Sequence, residues 1–132
     1  MAGVLWCMSV TAAAPVPVLM VLGDSLSAGY GLKQGEAWPN LLQIRLDSLG
    51  HPYYVVNASI SGETTRGGLT RLPALLKEHQ PALVVIELGA NDGLRGLPLE
   101  EFAANLQALV AASTAAGAAV VVLPMEVPPN YG

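Results

Sequence analysis

Val18-Leu19-Met20-Val21-Leu22-Gly23-Asp24-Ser25-Leu26-Ser27 decides the reading of this chain. Five apolar residues run unbroken and stop at a glycine. An acid and two hydroxyl side chains follow. A run of that length and valine content reads as a strand buried on both faces. Further along, Tyr53-Tyr54-Val55-Val56-Asn57, Leu83-Val84-Val85-Ile86-Glu87-Leu88 and Ala118-Ala119-Val120-Val121-Val122-Leu123 read the same way.

The stretches between these runs have helical spacing. Trp38 to Leu49 carries Trp38, Leu41, Leu42, Ile44, Leu46 and Leu49, with Pro39 early and Gly50 as a stop. Gly67 to His79 carries Leu69, Leu72, Leu75 and Leu76. Its Pro73 predicts a kink there or a start just before it. Leu99 to Ala116 carries Phe102, Leu106, Leu109 and Val110, and Gly117 closes it. A Pro-rich loop spans Pro124 to Gly132. Strands alternating with helices predict an α/β fold, its parallel strands joined by right-handed crossovers. Ligands in such sheets sit beyond the carboxyl ends of the strands. Gly23-Asp24-Ser25, Ser61-Gly62-Glu63 and Gly89-Ala90-Asn91-Asp92 follow three of the strands, so three loops can meet at one rim.

Composition narrows the function classes. The 132 residues fit one domain, and 52% hydrophobic against 12% charged excludes disorder. The net charge is −4, and Lys33, Arg45, Arg66, Arg71, Lys77 and Arg95 are scattered. Without a basic stripe, nucleic acid is not expected as a partner. One cysteine, Cys7, supplies neither a disulfide framework nor a Cys/His metal set. Val4 to Ala14 is apolar and small-residue-rich, with an A-x-A site at Ala12-Ala13-Ala14 but no basic n-region. Residues 1–14 therefore read as a signal-peptide remnant, too short to span a bilayer, and place the protein in the periplasm or outside the cell.

Each candidate residue has two readings by itself. Ser25 is exposed chemically by its place at a strand end, yet serines there also serve as turn residues or caps. The five residues Gly23 to Ser27 do not make G-x-S-x-G, since Ser27 holds the last position. Gly62 can let an oxygen approach a backbone N–H, or can simply form a turn. The Asn91 amide can donate to developing negative charge, or can close its own loop.

Together they say more. Gly23-Asp24-Ser25-Leu26-Ser27, Asn57-Ala58-Ser59-Ile60-Ser61-Gly62-Glu63-Thr64 and Glu87-Leu88-Gly89-Ala90-Asn91-Asp92-Gly93 resemble the first three sequence blocks of the SGNH/GDSL hydrolases. Ala37-Trp38-Pro39, Arg71 to Lys77, His79-Gln80-Pro81, Gly93 to Gly96 and Pro129 to Gly132 extend the likeness toward the thioesterase I/lysophospholipase L1/arylesterase subgroup. The resemblance implies a three-layer α/β/α sandwich with a flavodoxin-like parallel sheet. It implies Ser25 as nucleophile, and an oxyanion hole of the Ser25 N–H, the Gly62 N–H and the Asn91 side chain. Asp24 and Asp92 are supporting residues that bond within their own loops, and Glu63 stands at the rim. The implied substrate is a small acyl ester or thioester, cleaved through an acyl-enzyme, with no metal or organic cofactor. Leu94, Leu97 and Met125 would suit an apolar acyl chain.

The sequence departs from that pattern at one place. The resemblance implies a fourth block, Asp-x-x-His, which supplies the base and its orienting carboxylate. No Asp-x-x-His occurs in these residues, so no catalytic His or Asp can be assigned. His51 and His79 both precede strands, at the end opposite the active rim. Residues 15–132 thus read as an incomplete hydrolase domain with sheet order 2-1-3-4 and the fifth strand missing, inactive or nearly so. Its fourth strand is expected to expose an uncharged edge over 118–123, a route to self-association. The alternatives are a non-catalytic acyl- or lipid-binding relative and a carbohydrate acetylesterase. A nucleotide or phosphate binder ranks last, because Gly23, Gly29 and Gly31 do not form a phosphate loop.

Overall fold

The computed structural model describes residues 12–125. The elements are β1 (Val18–Gly23), α1 (Ser25–Ala28), α2 (Trp38–Ser48), β2 (Tyr54–Asn57), α3 (Thr65–His79), β3 (Leu83–Glu87), α4 (Ala90–Leu94), α5 (Leu99–Ala115) and β4 (Ala119–Val122). The four strands form one parallel sheet in the order β2-β1-β3-β4. The signal-like segment falls on residues that lie mostly outside the described ones, and so does most of the Pro-rich loop.

Alternation along β1 explains the layers. Met20 and Leu22 point to one face, where Leu72 of α3 and Leu109 of α5 complete a buried cluster with Val84 and Ile86. Leu19 and Val21 point to the other face, against Trp38, Leu42 and Leu46 of α2. This is the α/β/α arrangement. A strand buried on both faces has no room for polar side chains, hence the unbroken apolar run. Met20, Val21 and Leu22 are fully buried.

Several local expectations change. α3 begins at Thr65, not Gly67, because Thr64 caps it by accepting the Gly67 N–H at 3.2 Å. Pro73 lies within that helix without ending it. It sits on the exposed side, where water can replace the bond that its missing N–H gives up. On α2 only part of the apolar set faces the sheet: Leu41, Ile44 and Leu49 are exposed. The two longest excursions after strands, around Ser25 and Asn91, are single helical turns and not plain loops.

Candidate active site

The rim is built from the carboxyl ends of β1, β2 and β3. Ser25 opens α1 and is half-buried. One turn of helix does not persist unaided, since nucleation costs more than its few bonds return. Tertiary bonds hold this one. Asp24 is buried and caps it, with Oδ1 accepting the Leu26 N–H at 3.0 Å. The Ser27 carbonyl accepts from Asn57 Nδ2 at 2.7 Å. Ser27 Oγ accepts from Trp38 Nε1 at 2.9 Å and donates to Glu87 Oε2 at 2.6 Å.

Gly23 follows from that packing. A Cβ there would lie 2.6 Å from Ser27 Oγ and 2.8 Å from Glu87 Oε2. The first residue of the Gly-Asp-Ser stretch thus makes space for side chains that support the turn.

Asn91 lies in the first turn of α4 and joins the three loops. Its Nδ2 donates to Asp24 Oδ2 at 3.1 Å and to the Glu63 carbonyl at 2.9 Å. Ser25, Gly62 and Asn91 are therefore carried by segments bonded to one another. Gly62 has φ +81°, a left-handed conformation natural to glycine. Its carbonyl accepts from Arg95 Nη2 at 2.7 Å. Glu63 does not stand free at the rim: its Oε2 pairs with Arg71 Nε at 2.7 Å, and Arg71 Nη2 also reaches the Ala58 carbonyl at 2.9 Å. Of the residues assigned to an acyl chain, Leu94 is exposed at the end of α4, and Leu97 and Met125 are half-buried.

The carboxylates correct the sequence reading in part. Asp24 serves its own turn, as expected, but also reaches across to Asn91. Asp92 does not bond its own loop. It is buried and accepts both the N–H and the hydroxyl of Thr65, which starts α3. It clamps α4 to α3 behind the rim. Glu87 received no role of its own in the sequence, although a charge closing an otherwise apolar strand was the available signal. It is 4% exposed, and its Oε1 has no hydrogen-bond partner among the described residues. Burial pushes its carboxyl up from the ordinary value. Hydrogen bonds from Ser27 and Asp24 oppose that, and the Asp24 charge adds to it.

Neither histidine is near this rim. His51 lies before β2, and His79 ends α3 just before β3, so both adjoin the amino ends of strands. His79 Nε2 lies 3.8 Å from the Glu78 carboxylate. Among the described residues, no group of three or more His, Cys, Asp or Glu side chains could hold a metal ion. None of the described helices is long and apolar enough to cross a membrane.

Fold and rim together define an α/β protein with a serine-bearing turn at the carboxyl edge of a parallel sheet. The profile of the GDSL-like lipase/acylhydrolase family matches residues 21–132, and the chain belongs to that family. It is 51% identical over 132 residues to "Esterase TesA" of Pseudomonas aeruginosa, covering all of this chain and 66% of that protein. It is 48% identical over 120 residues to "Thioesterase 1/protease 1/lysophospholipase L1" of Escherichia coli K12, covering 91% of this chain and 56% of that one. A crystal structure of TesA superposes with a TM-score of 0.85 at 55% identity, covering 87% of this chain and 64% of that one. The chain thus spans somewhat over half to about two-thirds of the length of these relatives.

Proposed function

We propose that this chain carries the nucleophile and oxyanion-binding part of a serine esterase acting on carboxylic esters or acyl thioesters. The observation that carries the reading is the Asn91 amide, bonded at once to Asp24 beside Ser25 and to Glu63 beside Gly62. That bonding brings the three implied residues to one edge. The names of the relatives, an esterase and a thioesterase/lysophospholipase, support the same substrate class.

In the proposed reaction Ser25 Oγ attacks the acyl carbonyl carbon while its proton passes to a base. The carbonyl oxygen takes up the charge and accepts from the Ser25 and Gly62 N–H groups and from Asn91 Nδ2. Both Nδ2 protons are engaged in the free site, so one bond must yield; the longer one, to Asp24, is assigned to do so. Collapse expels an alcohol or thiol, protonated by the same base. Water then releases the acid from the acyl-enzyme by the reverse sequence. The base is assigned to the Asp-x-x-His block, which has no counterpart in these 132 residues. The apolar, small-residue stretch Val4 to Ala14 supports export to the periplasm or beyond. Self-association through β4 is proposed from its Val121 and Val122, which are 43% and 39% exposed.

Hydrolysis of a short-chain nitrophenyl ester tests the assignment. Without a triad member, only about 10³–10⁴-fold acceleration over water is expected from oxyanion stabilisation and binding. Fusing the unmatched remainder of Esterase TesA to this chain is expected to restore turnover, and Ser25→Ala in the fusion to abolish it. A folded fusion whose turnover ignores Ser25→Ala would overturn the reading. Ser25-dependent turnover by the unfused chain would instead place the base within these residues.

A further inference from the structure

Glu87 is a buried carboxyl group that the proposed reaction does not use. It ends β3 directly beneath the Asp24–Ser25 turn, since Gly23 and Glu87 are register partners across β1 and β3. The direction of its hydrogen bonds is fixed by chemistry. The Trp38 indole N–H can only donate, so Ser27 Oγ accepts it and must send its single proton elsewhere. That proton goes to Glu87 Oε2 at 2.6 Å. The same oxygen takes a longer contact of 3.4 Å from the Asp24 N–H. Ser27 is fully buried, so water cannot replace Glu87 as its acceptor. Oε1 is buried and has no hydrogen-bond partner among the described residues, so a charge on this carboxyl would be poorly satisfied.

We propose that Glu87 is a positioning residue of this site, acting through Ser27 and the Asp24 N–H to hold the single turn that presents Ser25. The proposal rests on the Ser25 reading only for its functional meaning; the hydrogen-bond chain stands without it. The role needs an acceptor oxygen, not a charge. Indeed the charge is unwelcome: burial raises the carboxyl's pKa, and among the described residues the charged group facing it is Asp24, whose negative charge acts in the same direction. Ser27 on α1 and Trp38 on α2, the other groups against it, do not titrate in the relevant range.

The sign of the pH effect follows. The folded chain keeps the Glu87 proton to higher pH than the unfolded chain does. The stability this contributes is complete below the ordinary glutamate pKa and is lost as pH rises through the raised one. Ionisation would be felt along the chain, at the Asp24 amide and, through Ser27, at the Trp38 indole.

The test records 1H–15N correlation spectra of the whole chain over an acid-to-neutral pH series. The chain has two tryptophans, so Trp6→Phe leaves one indole signal, that of Trp38. In this background the Trp38 indole is expected to titrate with a midpoint above the ordinary glutamate value. Glu87→Gln keeps the acceptor but cannot ionise. It should hold the Trp38 signal at its acid-form position throughout. Ser27→Ala should silence the Trp38 titration. Glu87→Leu should displace the Ser25 amide. A Trp38 indole titration that survives Glu87→Gln overturns the proposal, as does a folded Glu87→Leu with the Ser25 amide unmoved. Should Glu87→Leu not fold, the Gln and Ser27→Ala spectra decide by themselves. None of these readings requires turnover. Failure of Ser25→Ala to alter esterase activity would therefore sink the nucleophile assignment and leave this result intact.

Discussion

The two flanks of β3 solve opposite problems. On the rim side, buried polar groups find partners far along the chain: Asp92 on Thr65, Asp24 on Asn91, Ser27 on Glu87. On the β4 side, apolar groups stand half in water. Val121 lies in register with Val85, on the α2 face of the sheet, yet it is 43% exposed. Val122, on the other face, lines an open apolar groove of about 440 Å³ with Leu106, Gln107, Val110 and Ala111. This groove does not lie at the candidate chemistry. Polar burial is tolerated only where geometry is fixed, and fixed geometry is what a reacting site requires. The β4 flank has area to bury but no geometry of its own to protect.

The rim flank depends most on Asp92. Removing its carboxylate in Asp92→Ala leaves the buried Thr65 N–H and hydroxyl without their acceptor. Hydrogen bonds to a charged group are worth about 1.5–3 kcal/mol each, and Asn105 Nδ2 gives Thr65 Oγ1 no acceptor in exchange. A loss of about 3 kcal/mol is expected in urea-induced unfolding. A loss within 0.5 kcal/mol, on the order of a neutral surface change, would mean that the clamp between α4 and α3 contributes nothing.

How much of this was legible in the sequence follows the same division. The apolar runs of β1 and β3 announced the sheet because burial on both faces writes itself into consecutive residues. The Gly-Asp-Ser, Ser-Gly-Glu and Ala-Asn-Asp stretches marked the rim because they follow strands. What one stretch does to another was not legible. Asp92 meets Thr65, 27 positions away, and Ser27 meets Glu87, 60 positions away. Neither pair has a local signature. The start of α3 was missed because Thr64 and Thr65 add nothing to the apolar spacing, although Thr64 is a recognised capping type. On α2 the spacing counted six apolar positions where the sheet accepts fewer, since Leu41, Ile44 and Leu49 remain exposed.

A substitution on the other flank sharpens the contrast. Val110 of α5 is half-buried, packs against the main cluster and also lines the groove. Truncation in Val110→Ala removes two methyl groups, but a site already open to water leaves little cavity behind. The expected cost is about 1 kcal/mol, the transfer value for roughly that much apolar surface. A cost matching that of Asp92→Ala would show that the groove is closed in solution, as it would be if another chain filled it.

Val121→Lys carries the smallest effect on folding and the clearest effect on association. Val121 is 43% exposed on a sheet-edge strand, and the described part of β4 carries no charge, being Ala119-Val120-Val121-Val122. A lysine can extend its ammonium into water while its stem covers neighbouring apolar surface. Unfolding stability should therefore change by no more than about 0.5 kcal/mol. Pairing of one β4 edge with another would bring two like charges together, and edge lysines oppose such pairing. Sedimentation velocity of the parent chain over a concentration series should show reversible self-association, and the lysine variant should stay monomeric. A parent chain that remains monomeric at the highest concentration removes β4 as an association edge, and the exposure of Val121 and Val122 would then need no partner to explain it.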